Sequence, residues 1–191
     1  MFTGIIKDLG VIKSLKKTDE GLRLQVQTNL PAENFERGAS VALDGACMTI
    51  TNFDPAERIF TVTAVQESLN NTNFPYYKEG ERINLEAPLK MNDALSGHFV
   101  SGHVDFVAEV LNPAPELKIS IPTEYGRFFP RKGSVTINGV SLTVADSATD
   151  SIRIAIVPET MKATNLSLLK KGWHVNVEVD LIARYLEGLT N

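Results

Sequence analysis

Cysteine is nearly absent from this 191-residue chain: Cys47 is the only one. No intramolecular disulfide can form, and a reducing, cytoplasmic setting is the natural reading. Long apolar runs are missing too, so no segment reaches the ~20 residues that span a bilayer. The opening MFTGIIKDLGVI lacks the basic region, apolar stretch and small-residue cleavage site of a secretory signal. Positive charge is in deficit, with 19 Lys and Arg against 23 Asp and Glu and a net charge of −4. Its two small clusters, KSLKK (13–17) and LLKKG (168–172), are flanked by apolar segments. A partner held by its phosphate backbone needs a basic face or stripe, which speaks against nucleic acid. No cluster of Cys, His, Asp and Glu stands at metal-ligand spacing, so no metal site is expected.

Helical periodicity is also thin. The first half alternates apolar and polar residues in VIKSLKK, LRLQVQT, SVALDG, CMTITNF, RIFTVTAV and RINLEAP. The second half does the same in VDFVAEVL, LKISIP, SVTING, SLTVAD, IRIAIVP and HVNVEVD. Turn residues separate these short segments regularly, which predicts an all-β chain of small closed barrels rather than open sheets. Asp44-Gly45 and Asn138-Gly139 read as hairpin turns, because both central residues of a type I′ turn need positive φ. Short helices are expected within 31–38 and 121–129, and a helical turn in each of 67–74 and 159–166. Only DLIARYLEGL (180–189) carries an amphipathic stripe: Leu181, Ile182, Tyr185, Leu186 and Leu189. A short terminal helix of this kind wants a partner surface.

What the chain does have is an internal repeat. SVALDGACMTI (40–50) returns as SVTINGVSLTV (134–144), 94 positions later. ESLNNTNF (67–74) returns as ETMKATNL (159–166), and GERINLEAP (80–88) as GWHVNVEVD (172–180), both 92 positions later. GIIKDLGVI (4–12) lies on GHVDFVAEVL (102–111) with an offset of 98. The expected organisation is one module over 1–92, a second over 93–179 and a tail over 180–191, with a hinge near 84–99. In this alignment Cys47 faces Ser141, and Ile5 faces His103. Two similar sites with unlike reactive groups suit a reaction in which two like molecules play unlike parts.

The chemistry-bearing candidates follow. Cys47 is either a small buried hydrophobe or a reactive thiol beside the Asp44-Gly45 turn. The hydroxyls of Ser40 and Thr49, and of Ser134, Ser141 and Thr143 in the other copy, are right for hydrogen-bonding a polyol or the edge of a heterocycle. His98 and His103 lie five apart in SGHFVSGH; if that segment is extended they face opposite ways, and only one enters a cleft. His103 is either a strand histidine satisfied by a carbonyl or a proton carrier. Asn84 and Glu86, with Asn176 and Glu178, read as fold-maintaining, and Thr72-Asn73 and Thr164-Asn165 as turn or cap residues.

MFTGII, SVALDGACMT, SGHFVSGHVD, KGSVTINGVSLTV, VPETMKATNL and VNVEVDLIARYLE together resemble riboflavin synthases of the alpha, trimeric kind, over essentially the whole chain. The resemblance implies two tandem six-stranded antiparallel Greek-key barrels and a C-terminal helix that ties three chains together. It implies transfer of a four-carbon unit between two molecules of 6,7-dimethyl-8-ribityllumazine, giving riboflavin and 5-amino-6-ribitylaminopyrimidinedione, without cofactor or metal. Each active site would form between the first barrel of one subunit and the second of the next. A lumazine synthase shell is a further partner it raises. The family's substrate-contacting segments fall on Gly4, Ile5, Ile6, Cys47, Met48, Thr49, and Thr63, Ala64, Val65, Gln66, Glu67, Ser68 in the first barrel. In the second they fall on Gly102, His103, Val104, Lys132, Ser141, Leu142, Thr143, and Ala155, Ile156, Val157, Pro158, Glu159, Thr160. The chemistry needs a proton removed from the C7 methyl of one lumazine and attack at C7 of the other. His103 is assigned as base or relay, Cys47 and Ser40 lie near the nucleophilic event, and Ser141 and Thr143 orient the second substrate.

Three departures stand out. Thr63 and Gln66 occupy places where the family commonly shows Asp and Pro, which removes a carboxylate from the first site. Asp44 and Asn138 differ from each other at equivalent turn positions. The segment after DLIARYLE is short, so a short trimer helix is expected. A non-enzymatic lumazine or flavin carrier, like the lumazine proteins of luminous bacteria, is the competing reading; those proteins characteristically lose the SGH histidine, which this chain keeps. A flavin reductase barrel lacks support, since no Gly-rich phosphate loop is present.

Overall fold

Residues 1–190 are described by the computed structural model of the chain. Period-two segments become strands, and their order places every inward residue in one of two cores. The first half contributes β1 (Asp8–Thr18), β2 (Gly21–Gln27), β3 (Ser40–Leu43), β4 (Ala46–Asp54), β5 (Ile59–Ala64), α1 (Gln66–Asn71) and β6 (Arg82–Glu86). These strands close a barrel in the order β1-β2-β5-β4-β3-β6, with β6 pairing back on β1. The second half contributes β7 (Phe106–Asn112), β8 (Glu116–Ser120), β9 (Ser134–Ile137), β10 (Val140–Thr143), β11 (Asp146–Ser147), β12 (Ser151–Ala155), α2 (Pro158–Ala163) and β13 (His174–Val179). Their order is β10-β9-β13-β7-β8-β12-β11. β10 and β11 are consecutive pieces of the strand that β4 forms whole, so the sheet curls until its two edges are chain neighbours. An interruption at Val144 and Ala145 makes seven strands of the expected six.

Alternation decides what each strand buries. Along β4, Ala46, Met48 and Ile50 are buried while Cys47 and Thr49 face outward. The first core gathers Leu24, Val26, Phe60, Val62 and Ile83; the second gathers Val110, Ile119, Val135, Ile152 and Val177. Full burial of each such side chain contributes roughly 1.5–3 kcal/mol.

The helical expectations are trimmed. Only short 3₁₀ turns, Ala32–Asn34 and Thr123–Phe128, occupy 31–38 and 121–129. Neither segment has the length to offset the cost of nucleating an α-helix. The hinge starts later than expected, because residues 84–86 are the last of β6. α3 (Leu181–Thr190) follows β13 directly, with Asp180 accepting from the Ile182 N–H at 2.9 Å.

The barrels meet back to back through mirrored contacts. Both hairpin turns have the positive φ expected, 41° and 81° at Asp44 and Gly45, 45° and 76° at Asn138 and Gly139. They press against each other so closely that a Cβ on Gly45 would lie 2.7 Å from the Gly139 nitrogen. Around them the asparagines cross over. The Asn73 N–H donates to Asn176 Oδ1 at 2.7 Å, and the Asn165 N–H to Asn84 Oδ1 at 2.8 Å. Asn84 and Asn176 then donate to the Asn138 and Asp44 carbonyls at 2.8 and 2.9 Å. Asn73 and Asn165 therefore join the two barrels, a larger role than closing turns.

Asp44 breaks the mirror. It is fully buried, accepts from the Asn84 N–H, from Asn165 Nδ2 and from the Tyr77 hydroxyl, and burial nonetheless raises its pKa to about 7. Tyr77, pushed well above 10 by burial and then by the Asp44 charge, stays a donor. A folded-state pKa above the unfolded value near 3.8 means stability is complete below that value and is lost as pH rises through about 7. An Asp44→Asn chain, with the residue of the second copy, should therefore gain on the parent by about 4 kcal/mol between pH 4 and pH 8. Urea midpoints measured at several pH values check this, and parallel curves for the two chains would refute it.

Candidate functional site: two grooves and a crossing segment

On the outer face of the first barrel, β4 and β5 diverge beyond the Ile50–Val62 pair. Cys47 and Thr49 on β4, Thr63 on β5 and Val65 just after it face this gap because their neighbours Met48, Ile50, Val62 and Ala64 turn inward. Ser40 sits opposite Thr49 on β3, on the same outer face. The repeat builds the same groove on the second barrel from Ser141, Thr143, Ala155 and Val157, with Ser134 opposite Thr143. Val65 and Val157 are 51% and 59% exposed, leaving apolar surface at the mouth of each groove. Gln66, Glu67 and Ser68 open α1, and Pro158, Glu159 and Thr160 open α2, at matching places.

Four of the expected contact residues do not reach these grooves by their side chains. Met48, Ala64 and Ile156 are buried in the cores, and Leu142 packs partly buried against the second core. The strand period of two sends each to the face opposite its groove-lining neighbours.

The segments before β1 and β7 exchange places. The Ser141 N–H donates to the Gly4 carbonyl, and the Cys47 N–H to the Gly102 carbonyl, both at 2.8 Å. Ile6 packs on the second core and Val104 on the first. Gly4, Ile5 and Ile6 thus belong to the second groove, and Gly102, His103 and Val104 to the first, the reverse of the assignment expected from chain order. The exchange follows from clamping at the strand ends. Glu86 accepts from the Thr3 N–H and hydroxyl, each at 2.7 Å, and from the Gly4 N–H at 3.0 Å. Glu178 accepts from the Ser101 N–H and hydroxyl at 2.7 and 2.6 Å and from the Gly102 N–H at 3.0 Å. Burial raises the pKa of both carboxyls, opposed by these donors. The mirrored clamps also verify the 98-residue offset that sets Ile5 opposite His103.

Residues 97–104 run from one groove to the other. A Cβ on Gly97 would come within 3.0 Å of Ser141, and one on Gly102 within 2.6 Å of the Cys47 Cβ. The segment is no regular strand; Val100 alone pairs, with Phe2. The expectation that only one histidine reaches a cleft therefore fails, because the chain passes between barrels instead of along one sheet. His98 reaches the second groove, with Nδ1 2.7 Å from Ser141 Oγ and Nε2 3.1 Å from Thr136 Oγ1. Burial lowers its pKa, partly offset by the Asp180 charge, so it is neutral at neutral pH. His103 stands exposed beside the first groove, its side chain without a hydrogen bond among the described residues. Arg184 of α3 reaches back to this segment, donating to Asp105 at 2.7 Å and to the His103 carbonyl at 3.4 Å. His98, Thr136 and the two Glu clamps are not among the site residues expected from sequence. The SGHFVSGH doublet is the available signal for His98; the clamps have none, since their partners lie 76 to 83 positions away.

The lumazine-binding domain family matches the chain twice, over residues 3–88 and 101–180. Riboflavin synthases from Photobacterium leiognathi and Brucella abortus are 37% and 36% identical to it, each over 99% of this chain and over 88% and 98% of their own lengths. The chain belongs to the riboflavin synthase family. The Bacillus subtilis riboflavin synthase is 34% identical over 97% of this chain and 88% of its own. Among solved structures, LumP complexed with riboflavin superposes with a TM-score of 0.81 at 27% identity, covering 94% of this chain and 99% of that one. LumP complexed with 6,7-dimethyl-8-(1'-D-ribityl) lumazine gives 0.80 over the same shares.

Within the second barrel, Lys132 is a backbone outlier. Its φ is +70°, its N–H donates to the Val144 carbonyl at 2.8 Å, and its counterpart in the first barrel is Gly38 at +90°. An L-residue there costs about 1–2 kcal/mol, while glycine returns part of that as chain entropy. Lys132→Gly should leave stability unchanged or raise it by up to about 1 kcal/mol and, if Lys132 contacts lumazine as the resemblance implies, weaken that binding about tenfold. A loss of stability without a change in affinity would remove Lys132 from the site.

Proposed function

We infer that this chain performs the riboflavin synthase dismutation: one 6,7-dimethyl-8-ribityllumazine passes a four-carbon unit to a second, giving riboflavin and 5-amino-6-ribitylaminopyrimidinedione. One observation carries the reading. The two grooves repeat in shape and differ in reactive groups: Cys47 with His103 on one, Ser141 with His98 and Ile5 on the other. Two identical substrates can bind alike while only one is placed beside a given proton carrier.

Small outward hydroxyls on both grooves suit the polar edges of a lumazine, and the exposed Val65 and Val157 suit its face. His103 serves as base or relay for the C7 methyl proton, being solvent-facing and free of hydrogen bonds. Cys47 and Ser40 lie near the nucleophilic event, and Ser141 and Thr143 orient the other substrate. Neutral His98 holds the Ser141 hydroxyl. We divide the chain as 1–92, 93–179 and 180–191, with residues 1–6 serving the second module's groove.

In the arrangement the family resemblance implies, the two lumazines are brought together between subunits, the first barrel of one chain facing the second of its neighbour. That proximity turns a bimolecular step into an effectively unimolecular one. α3 supplies a surface for a homotrimer: Ile182, Tyr185, Leu186 and Leu189 are exposed on it. We place the enzyme in the cytoplasm, where an enclosing lumazine synthase shell is a further partner.

The test is direct. Incubated with 6,7-dimethyl-8-ribityllumazine alone, the protein should form riboflavin catalytically, followed by its absorbance. Stoichiometric fluorescent binding without turnover would instead make it a carrier of the LumP type.

A further inference from the structure

On the outer face of the first barrel, a depression of about 450 Å³ shares Thr63 with the groove. Strand register sets its wall. Arg23 on β2 is the cross-strand partner of Thr63, and Gln25 of Thr61, so each pair shares one face of the sheet. Arg37, from the loop before β3, lines the depression as well, together with Thr51. Both arginines are exposed, and neither enters an ion pair among the described residues. Thr63, where a carboxylate would pair with Arg23, offers a neutral hydroxyl instead. Glu20 also stands on the rim, which leaves the lining with a net positive charge.

The second barrel is built differently at the same place. Ala155 stands where Thr63 does, and its partner on β8 is Glu116, so Glu116 is the counterpart of Arg23. Its carboxylate is already paired, 2.7 Å from Arg153. Arg131, the counterpart of Arg37, donates from Nε to the Ala145 carbonyl at 3.3 Å. The second copy thus neutralises one charge and ties the other to its own backbone. The first copy leaves two guanidinium groups open to solvent at the end of a ligand-sized groove.

We propose that the first groove ends in a phosphate subsite formed by Arg23 and Arg37, so that the first barrel prefers a ribityl heterocycle with a phosphorylated tail to the same molecule without the phosphate. The proposal rests on the reading of this groove as a lumazine site. Val65, Thr63 and Thr61 lie along one face of β5 and its continuation, over about 13 Å at ~3.3 Å per residue. A ring set against the exposed Val65 sends its polyol tail along Thr63 toward the two arginines. Guanidinium groups meet phosphate oxygens with paired N–H donors, and such charge-assisted bonds are roughly twice as strong as neutral ones. A tail that ends in a hydroxyl gains none of this. A product phosphorylated on its tail would therefore occupy the first groove in place of lumazine and slow riboflavin formation.

Riboflavin and riboflavin 5′-phosphate are titrated into the full-length protein, with flavin fluorescence as the readout. At low ionic strength the phosphate form should bind one site per chain about tenfold tighter than riboflavin, or better. Its advantage should shrink as salt rises. In an Arg23→Gln/Arg37→Gln chain the advantage should fall to about twofold or less with riboflavin affinity as in the parent, since both side chains are exposed and the fold is kept. Arg131→Gln, the matched change in the second barrel, should leave the advantage intact. Equal affinities for the two flavins, with riboflavin still formed from lumazine, remove the subsite alone. An advantage that survives in the double variant, or that Arg131→Gln also removes, places the phosphate elsewhere and overturns the proposal. Inorganic phosphate that displaces the phosphorylated flavin at equal concentration overturns it too, leaving a general anion site. Binding of neither flavin, with no riboflavin formed, removes the lumazine reading and the subsite with it.

Discussion

Gly139→Ala is expected to destabilise the chain by about 2–5 kcal/mol, a large part of the ~5–15 kcal/mol that holds a typical domain folded. Two costs combine. At φ 76° a Cβ crowds the chain's own carbonyl, worth roughly 1–2 kcal/mol. The same Cβ would lie 2.6 Å from the Gly45 nitrogen and 3.0 Å from its Cα. These are backbone atoms of the opposing turn, which no rotamer change can move aside, and overpacking of this kind costs roughly 1–3 kcal/mol. Relief would require the barrels to separate, straining the crossed asparagine bonds beside the turns. Gly45→Ala should act in the same direction for the mirrored reason. Chemical denaturation decides the matter: a midpoint equal to the parent's would mean that the turns are not in contact in solution.

His103→Ala should cut riboflavin formation by about 10²–10⁴-fold, the usual worth of a positioned proton carrier. Stability should stay within about 0.5 kcal/mol, since the ring is exposed and bonds to nothing among the described residues. The segment keeps its place in the variant, because Glu178 holds Ser101 and Gly102 through groups that do not involve the imidazole. Full turnover in the variant would discard the proton-transfer role while leaving the family and the fold as they are. A loss of stability matching the loss of turnover would show that the ring is structural.

Much of the architecture was legible because it rests on local rules. Alternation in CMTITNF and RIFTVTAV marks strands whose inner residues must be buried, and Asp44-Gly45 and Asn138-Gly139 mark turns that require positive φ. The repeat then located equivalent positions, down to the pairing of Ile5 with His103. Errors came where a residue's environment is set by distant chain. Met48, Ala64 and Ile156 lie inside contact segments, but the strand period turns them into the cores. Gly4 to Ile6 and Gly102 to Val104 were each assigned to their own barrel, yet each is clamped so that it lines the other. His98 looked like the spare of two histidines until the chain proved to cross between barrels.

By itself, then, the sequence determined the doubled all-β plan, the hairpin turns, the family, and the unlike reactive groups at like positions. Those depend on composition, period and repetition, which are properties of neighbouring residues. The tertiary structure decided which segment serves which groove, that four asparagines join the barrels, and that Asp44 and Asn73 lie buried around an inter-barrel cleft. Those depend on hydrogen bonds between groups far apart in the chain, such as Asn84 with Asn138, 54 positions away, and Asn176 with Asp44, 132 positions away, and no local pattern encodes them. The single cysteine belongs to both: its rarity was plain in the chain, and its place beside Gly102 came only from the fold.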